Sequence, residues 1–179
     1  MPGWEWWAWT LAKNFIGGRD LDEAKKNALR LSQKGYPLIF NYASEHVKDY
    51  LQAAETRDAY AELLDWLKHR KIPASLSLKF SQFWLTPKEI LQNSKPAEAE
   101  LFLDILKHAR DANIRVWIDA EHLSDRRHYS YVLPMLWQKG FENLGRVIQA
   151  NVRDANWENF VKNCALAPVA TDARSFSES

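Results

Sequence analysis

The hydrophobic and polar positions of the chain follow two different periods. After Asp20, apolar residues recur every three to four positions, and Asp20 stands three residues before Glu23 in the spacing of a capping box. Residues 74–80 instead alternate strictly, with apolar side chains at even positions and Ser or Lys at odd positions. The first period predicts an amphipathic helix that Gly35 ends, and the second predicts a strand with one apolar and one polar face.

The same periods predict the elements of the rest of the chain. Short aromatic and aliphatic runs predict strands over residues 36–42, 74–80, 114–119 and 145–150. Helical spacing predicts a helix over 47–67 that Thr56 could interrupt, one over 96–112, one over 125–138 that Pro134 should kink, and a short one over 156–162. A helix followed by four strand–helix units predicts a parallel sheet covered by helices.

Alternation of this kind occurs in doubly wound sheets and in barrels, and two observations favour the barrel. The polar face of residues 74–80 suits a strand that turns one side toward a barrel interior, whereas strands of a doubly wound sheet are apolar on both faces. No phosphate-binding GxGxxG or GxxxxGK[ST] loop follows a predicted strand. We therefore expect an α/β fold, a partial (β/α)8 barrel of the TIM type with four strand–helix units preceded by N-terminal helices.

Composition narrows the classes of function. The 179 residues suit one domain, and a net charge of +1 lacks the concentrated basic field that nucleic-acid binding needs. A single cysteine, Cys164, excludes an internal disulfide and favours the cytoplasm. The apolar runs are far shorter than the ~20 residues that a bilayer span requires.

The two ends of the chain differ from its middle. Four of the nine tryptophans lie between residues 4 and 9, so we predict that residues 1–19 form an apolar helix or lid that caps the fold. A patch that touches a partner or a membrane is the alternative. Residues 20–163 carry the periodic pattern of the predicted domain, and residues 164–179 are expected to form an unstructured tail.

Polar side chains follow the predicted strands at their carboxyl ends, where barrels of this type place active sites. By parity, Lys79, Asp119 and Gln149 are each the last side chain on the interior face. A partly buried lysine needs a carboxylate nearby, and Asp119 and Glu121 are the candidates. A solvated barrel rim would carry such residues too. A metal site is not indicated, because Glu121 and His122 should face opposite sides and HExxH and cysteine clusters are absent from the sequence.

The segments around these residues resemble the FAD-dependent proline dehydrogenases, including the proline dehydrogenase domain of the proline-utilisation enzymes. The resemblance covers residues 15–163 and rests on FIGGRDLDEAKKNALRLSQKGYPLIFNYASE, SLSLKFSQFWL, RVWIDAEHLSDRR and GRVIQANVRD, in that order. It implies a distorted (β/α)8 barrel that holds FAD at the carboxyl ends of its strands. It also implies oxidation of L-proline to pyrroline-5-carboxylate in proline catabolism, with electrons leaving to a quinone or another acceptor, and hence peripheral contact with a membrane.

The resemblance assigns a role to each candidate residue. Lys79 would contact the substrate carboxylate, and Asp119 would organise the substrate site. Glu121 would occupy a supporting acidic position behind it. Gln149 would hydrogen-bond the flavin ring, and Arg153 would lie near the cofactor.

Departures from the family pattern leave other functions open. Asn151 stands where the family usually has Tyr, and the fifth-strand motif and the paired arginines of the last helix have no counterpart. These departures predict a truncated or frame-shifted product that is inactive alone and self-associates through open sheet edges. One alternative is a non-catalytic half-barrel module that pairs with another copy or chain. Another is a barrel aldolase or isomerase with Lys79 as a Schiff-base lysine, but a neighbouring carboxylate would oppose the neutral amine which that chemistry requires.

Overall fold

The computed structural model describes residues 17–44, 47–121 and 125–147. The predicted Trp-rich lid up to residue 16, the helix over 156–162 and the tail lie outside these ranges. The described elements follow one another as α1 (Leu21–Ser32), β1 (Leu38–Phe40), α2 (Tyr50–Arg70), β2 (Ala74–Leu78), a 3-10 turn (Phe80–Phe83), α3 (Pro87–Gln92), α4 (Pro96–Asp111), β3 (Arg115–Ile118), α5 (Arg126–Gln138) and β4 (Leu144–Arg146). Within these ranges, none of the helices is both long enough and apolar enough to cross a bilayer.

The strands described here form one parallel sheet in the order β1-β2-β3-β4. Leu38 lies beside Ala74 at the start of β1 and β2, and Ile118 lies beside Arg146 at the end of β3 and β4. Each strand therefore neighbours the next strand along the chain, without the reversal of order that marks a doubly wound sheet. The α/β class and the parallel sheet predicted from the sequence are confirmed.

The sheet has a buried face and a more exposed face. Leu76 and Leu78 of β2 and Ile118 of β3 have no exposed surface, and they belong to the core that the helices share. The other face, which we call the open face, carries Ile39, Ser75, Ser77, Arg115, Trp117 and Gly145. Ile39 is 65% exposed there. Within residues 75–80 the even positions are buried and the odd positions partly exposed, so the predicted alternation does separate a core side from an accessible side.

The start of α1 is capped as its sequence predicts. The Glu23 N–H donates to Asp20 Oδ1 at 2.8 Å. The Glu23 carboxylate accepts from the Arg19 N–H at 3.0 Å, one residue before the N-cap, so the reciprocal bond differs by one position from that of a capping box. The cap sets the point where the chain enters the helix that precedes β1.

The predicted interruption at Thr56 is wrong, because α2 runs unbroken from Tyr50 to Arg70. The Thr56 side chain is buried, and its hydroxyl donates to the Gln52 carbonyl at 3.0 Å within the same helix. This backward bond satisfies the hydroxyl inside the helix, so the helix need not end there. Two elements that the sequence analysis left out, the 3-10 turn and α3, lie between β2 and α4.

Aromatic packing fixes the position of the 3-10 turn. The ring centroids of Phe80 and Phe102 are 4.9 Å apart, and those of Phe83 and Phe102 are 5.4 Å apart. The ring centroids of Phe80 and Tyr129 of α5 are 5.7 Å apart. Both phenylalanines of the turn have no exposed surface. The turn that follows β2 is therefore held by the core, on the side opposite to the open face.

Gly145 of β4 lies directly under the indole of Trp117 from β3. A Cβ atom at position 145 would approach Cε3 and Cζ3 of Trp117 to 2.5 Å, closer than van der Waals contact allows. Arg115, two residues before Trp117 on the same face, places its guanidinium carbon 5.6 Å from the Trp117 ring centroid. The indole thus spans from β3 to β4 only because position 145 has no side chain.

We expect Gly145→Ala to destabilise the fold by about 1–3 kcal/mol, because the rigid indole or the strand must shift to admit the methyl group. Urea unfolding midpoints measure the change. Gly17→Ala is the matched control, since an added Cβ at Gly17 meets no atom within 4 Å. If the clash is the cause, Trp117→Leu in the Gly145→Ala background restores part of the loss. Equal midpoints for Gly145→Ala and the wild-type chain would show that the indole moves freely.

Candidate functional site

Lys79 and Asp119 lie side by side at the carboxyl ends of β2 and β3. The Asp119 N–H donates to the Leu78 carbonyl at 2.8 Å, which continues the β2–β3 register by one residue beyond its last strand pair. Lys79 follows Leu78 with extended backbone angles, so it shares the open face with Ser77. Both side chains are partly buried. The structure therefore brings together a lysine and an aspartate that were predicted to belong to one site.

The equivalent position on β4 is Val147. Its N–H donates to the Ile118 carbonyl at 3.0 Å, which places Val147 beside Asp119 in register. Gln149, predicted to complete this row, is two residues further along the chain and lies outside the described residues, as does Arg153. The row on the described strands is therefore Lys79, Asp119 and Val147.

Glu121 is bound to the turn that follows Lys79. One of its carboxylate oxygens accepts from the Ser81 N–H at 3.1 Å, and the other accepts from the Ser81 hydroxyl. Hydrogen bonds to an ionised carboxylate are the strong ones. Glu121 therefore ties the segment after β3 to the 3-10 turn.

Tyr129 of α5 holds the main chain at Asp119. Its hydroxyl donates to the Asp119 carbonyl at 3.1 Å, and Asp119 Oδ1 accepts from the N–H of Ala120 at 2.9 Å. Burial, together with the nearby charge of Glu121, raises the pKa of Tyr129 above its ordinary value. The tyrosine therefore stays neutral and keeps its donor proton at ordinary pH.

Gln82 is completely buried and hydrogen-bonded on both sides of its amide. Its Oε1 accepts from the Lys79 N–H at 2.9 Å and from the Tyr60 hydroxyl at 3.3 Å. Its Nε2 donates to the Tyr42 carbonyl and, at 3.3 Å, to Asn41 Oδ1. One side chain thus joins the residues that follow β1 to the residue that follows β2.

Tyr60 of α2 extends this network into the sheet. Its hydroxyl accepts from the Tyr42 N–H at 3.0 Å, and its single hydrogen is shared between the Ser77 carbonyl of β2 at 3.1 Å and Gln82 Oε1 at 3.3 Å. Burial raises the pKa of Tyr60 to about 12. We call the four residues Asn41, Tyr42, Tyr60 and Gln82 the amide network.

Several of these contacts have no signal in the sequence. Gln82 stands at a predicted strand end, but no periodic pattern indicates that its amide is buried. In the sequence, Tyr60 and Tyr129 cannot be distinguished from ordinary core aromatics, because the partners of their hydroxyl groups come from distant elements. The helix α3 did have a signal: Thr86, Pro87 and Glu89 form a capping box with proline at the first turn, and Glu89 does donate its N–H to the Thr86 hydroxyl.

The arrangement suits a small ligand that carries both charges. A cationic lysine and an anionic aspartate lie in one row on the accessible face, within a frame that the turn and the amide network hold. A zwitterionic amino acid has a carboxylate for the first and an ammonium group for the second. Among the residues in the described ranges, no cluster of His, Cys, Asp or Glu is placed to hold a metal ion.

Comparisons with known proteins gave a family match and a structural match. A family model described as proline dehydrogenase matches residues 24–166. No curated protein matches the chain. Among solved structures, the chain is similar to the crystal structure of proline utilization A (PutA) from Bdellovibrio bacteriovorus inactivated by N-propargylglycine, with a TM-score of 0.66 and 20% identity. The match covers 87% of this chain and 19% of that chain, so the likeness concerns the fold of one part of a much longer protein.

We expect the stability of the chain to fall above pH 10, in part because of Tyr60. An unfolded tyrosine loses its proton near its ordinary pKa of 10.0, whereas the folded Tyr60 keeps it to a pKa of about 12. Between these values the folded state binds more protons than the unfolded state, so the stability that is complete below pH 10 is lost as pH rises, by up to about 1.4 kcal/mol per pH unit.

Urea unfolding at pH 8 to 11.5 measures this slope for the wild-type chain and for Tyr60→Phe. The phenylalanine variant starts less stable, because Gln82 and Ser77 lose a donor, but it falls less steeply with pH. Tyr131→Phe, which removes an exposed hydroxyl, is the control and keeps the wild-type slope. Identical slopes for all three proteins would contradict the prediction.

Proposed function

Because a proline dehydrogenase model matches well over half of its length, the chain belongs to the proline dehydrogenase family, and we propose that it acts in the FAD-dependent oxidation of L-proline. The product would be pyrroline-5-carboxylate, which has two hydrogen atoms fewer than proline. The observation that carries this proposal is the row of Lys79 and Asp119 at the carboxyl ends of adjacent parallel strands.

The two charged residues fit the two ends of proline. We assign the proline carboxylate to the Lys79 ammonium, and we assign to Asp119 the organisation of the substrate around its amine. Glu121 holds the turn after Lys79 through Ser81, so it supports the site without needing to touch the substrate. The register that places Asp119 beside Lys79 argues against a Schiff-base role for the lysine, because a carboxylate nearby favours the charged ammonium and imine formation needs the neutral amine.

The cofactor would lie next to this row. When bound, FAD supplies the redox chemistry by accepting the two hydrogen atoms that leave proline, and a quinone or another acceptor takes the electrons onward. We assign flavin contacts to Gln149 and Arg153. Val147 extends the register by one residue beyond β4, and Gln149 has the same parity as Val147 in the sequence.

The sheet order supports a barrel as the setting. Sequential parallel strands, with one face toward helices and one face open, are the pattern of a partial (β/α)8 barrel. In the described sheet β1 and β4 are the edge strands, and β1 bears the exposed Ile39. We propose that these edges associate with another copy of the chain, and that the protein acts in the cytoplasm in contact with a quinone-bearing membrane.

We expect Lys79→Met to weaken binding of tetrahydrofuran-2-carboxylate, which keeps the ring and carboxylate of proline, by about 10- to 100-fold. A hydrogen bond to a charged group is worth about 1.5–3 kcal/mol, and 1.4 kcal/mol is a factor of ten. The change in flavin absorbance on titration of the FAD-loaded chain measures the dissociation constant.

Lys88→Met, which removes an exposed lysine of α3, is the matched control and should bind like the wild-type chain. A wild-type chain that takes up no flavin would refute the proposed cofactor. A chain that binds flavin and gives the same analogue affinity with Met at position 79 would refute the role of Lys79.

A further inference from the structure

We propose that Gln82 is a positioning residue whose buried amide holds Lys79 in place for the substrate carboxylate. This inference rests on the proposed function, and it names a residue that touches neither substrate nor cofactor. It adds to Lys79 and Asp119 the device that keeps the lysine in its row.

The first observation is the complete use of the Gln82 amide. A primary amide offers one oxygen with two lone pairs and one NH2 group with two hydrogens. Oε1 accepts from the Lys79 N–H and the Tyr60 hydroxyl, and Nε2 donates to the Tyr42 carbonyl and Asn41 Oδ1. All four capacities have a partner within hydrogen-bond distance, with Tyr60 sharing its one hydrogen between Oε1 and the Ser77 carbonyl, although the Gln82 side chain has no exposed surface. Such a group has a single low-energy placement, because every other placement leaves a buried donor or acceptor unpaired.

The second observation is where these partners lie. The Lys79 N–H is attached to the same Cα from which the lysine side chain leaves, so its 2.9 Å bond to Oε1 restrains the direction of that side chain. Tyr42 and Asn41 follow β1, and Tyr60 comes from α2. The amide therefore restrains the Lys79 main chain relative to both the neighbouring strand and the helix layer.

The third observation is that the two halves of the amide have different chemistry. Oε1 must accept toward Lys79 and Tyr60, while Nε2 must donate toward Tyr42. A glutamate at this position can do both only when its carboxyl is protonated, because an ionised carboxylate has no hydrogen to donate. Burial also disfavours the ionised form. Gln82→Glu therefore makes the positioning depend on pH, which a general loss of packing would not do.

The other titratable groups near position 82 are few in the described part of the chain. Tyr60 faces the amide from α2 with its pKa raised to about 12, and the ring centroid of Tyr42 lies 6.1 Å from that of Tyr60. Lys79 lies at the start of the same turn, and Glu121 reaches the turn through Ser81. These groups are identical in the wild-type chain and in the variant, so the difference between their two pH profiles isolates position 82.

The experiment measures binding of tetrahydrofuran-2-carboxylate to the FAD-loaded full chain between pH 5 and pH 9. We expect Gln82→Glu to bind within about 3-fold of the wild-type chain at pH 5 and at least 10-fold more weakly at pH 8, with flavin still bound. Gln138→Glu is the matched control. Gln138 is exposed at the end of α5, just before β4 begins. It therefore lies toward the amino ends of the strands, whereas Gln82 lies at their carboxyl ends. The control should follow the wild-type profile.

Tyr60→Phe is a second test of the inference that remains usable if the Gln82→Glu variant unfolds at high pH. It keeps the ring and the charge of the site but removes one donor to Oε1, and we expect weaker analogue binding with flavin retained. Unchanged affinity in Tyr60→Phe, or a Gln82→Glu profile parallel to that of the control, would overturn the inference. So would an equal loss at every pH together with loss of flavin, since that is the signature of damaged packing. A wild-type chain that binds neither ligand would instead overturn the proposed function, and the positioning role with it.

Discussion

A polar group that folding withdraws from water must find a hydrogen-bond partner, and this requirement governs the carboxyl edge of the sheet. The amide of Gln82 and the hydroxyl of Tyr60 are both buried there. A buried donor or acceptor left without a partner costs about 1–3 kcal/mol. Their partners are Ser77 of β2 and Tyr42, two residues after the end of β1. The hydrogen bonds of these two side chains therefore also set how the two strands end relative to each other.

The two faces of the sheet have different roles. On the buried side, Phe80 and Phe83 anchor the turn after β2 among aromatic rings. On the accessible side, the same turn presents Lys79 and receives the carboxylate of Glu121 at Ser81. Apolar contacts on one side and the hydrogen bonds of Glu121 on the other therefore hold the same turn. The two acidic residues after β3 differ for the same reason: one is bound to the frame, and the other stands in the row beside the lysine.

How much of this could be predicted depends on the range of the interaction involved. Local signals were sufficient for the cap at Asp20 and for the alternation of residues 74–80, because both are written in neighbouring positions. The pairing of Lys79 with Asp119 followed from parity along each strand. Parity gives the face of a residue but not which residues stand opposite each other, so the position of Val147 beside Asp119 comes only from the register. The role of Tyr60 depends on groups from other elements, and no local pattern encodes it.

The sequential order of the strands bears on how the chain is made. Each strand after β1 in the described sheet pairs with the strand before it in the sequence, so each new strand that emerges from the ribosome finds its pairing edge already synthesised. The loop that must close at each step is one helix and its connections, and the entropy of closing a loop grows only slowly with its length. This topology therefore permits the sheet to assemble by stepwise addition of one strand–helix unit at a time.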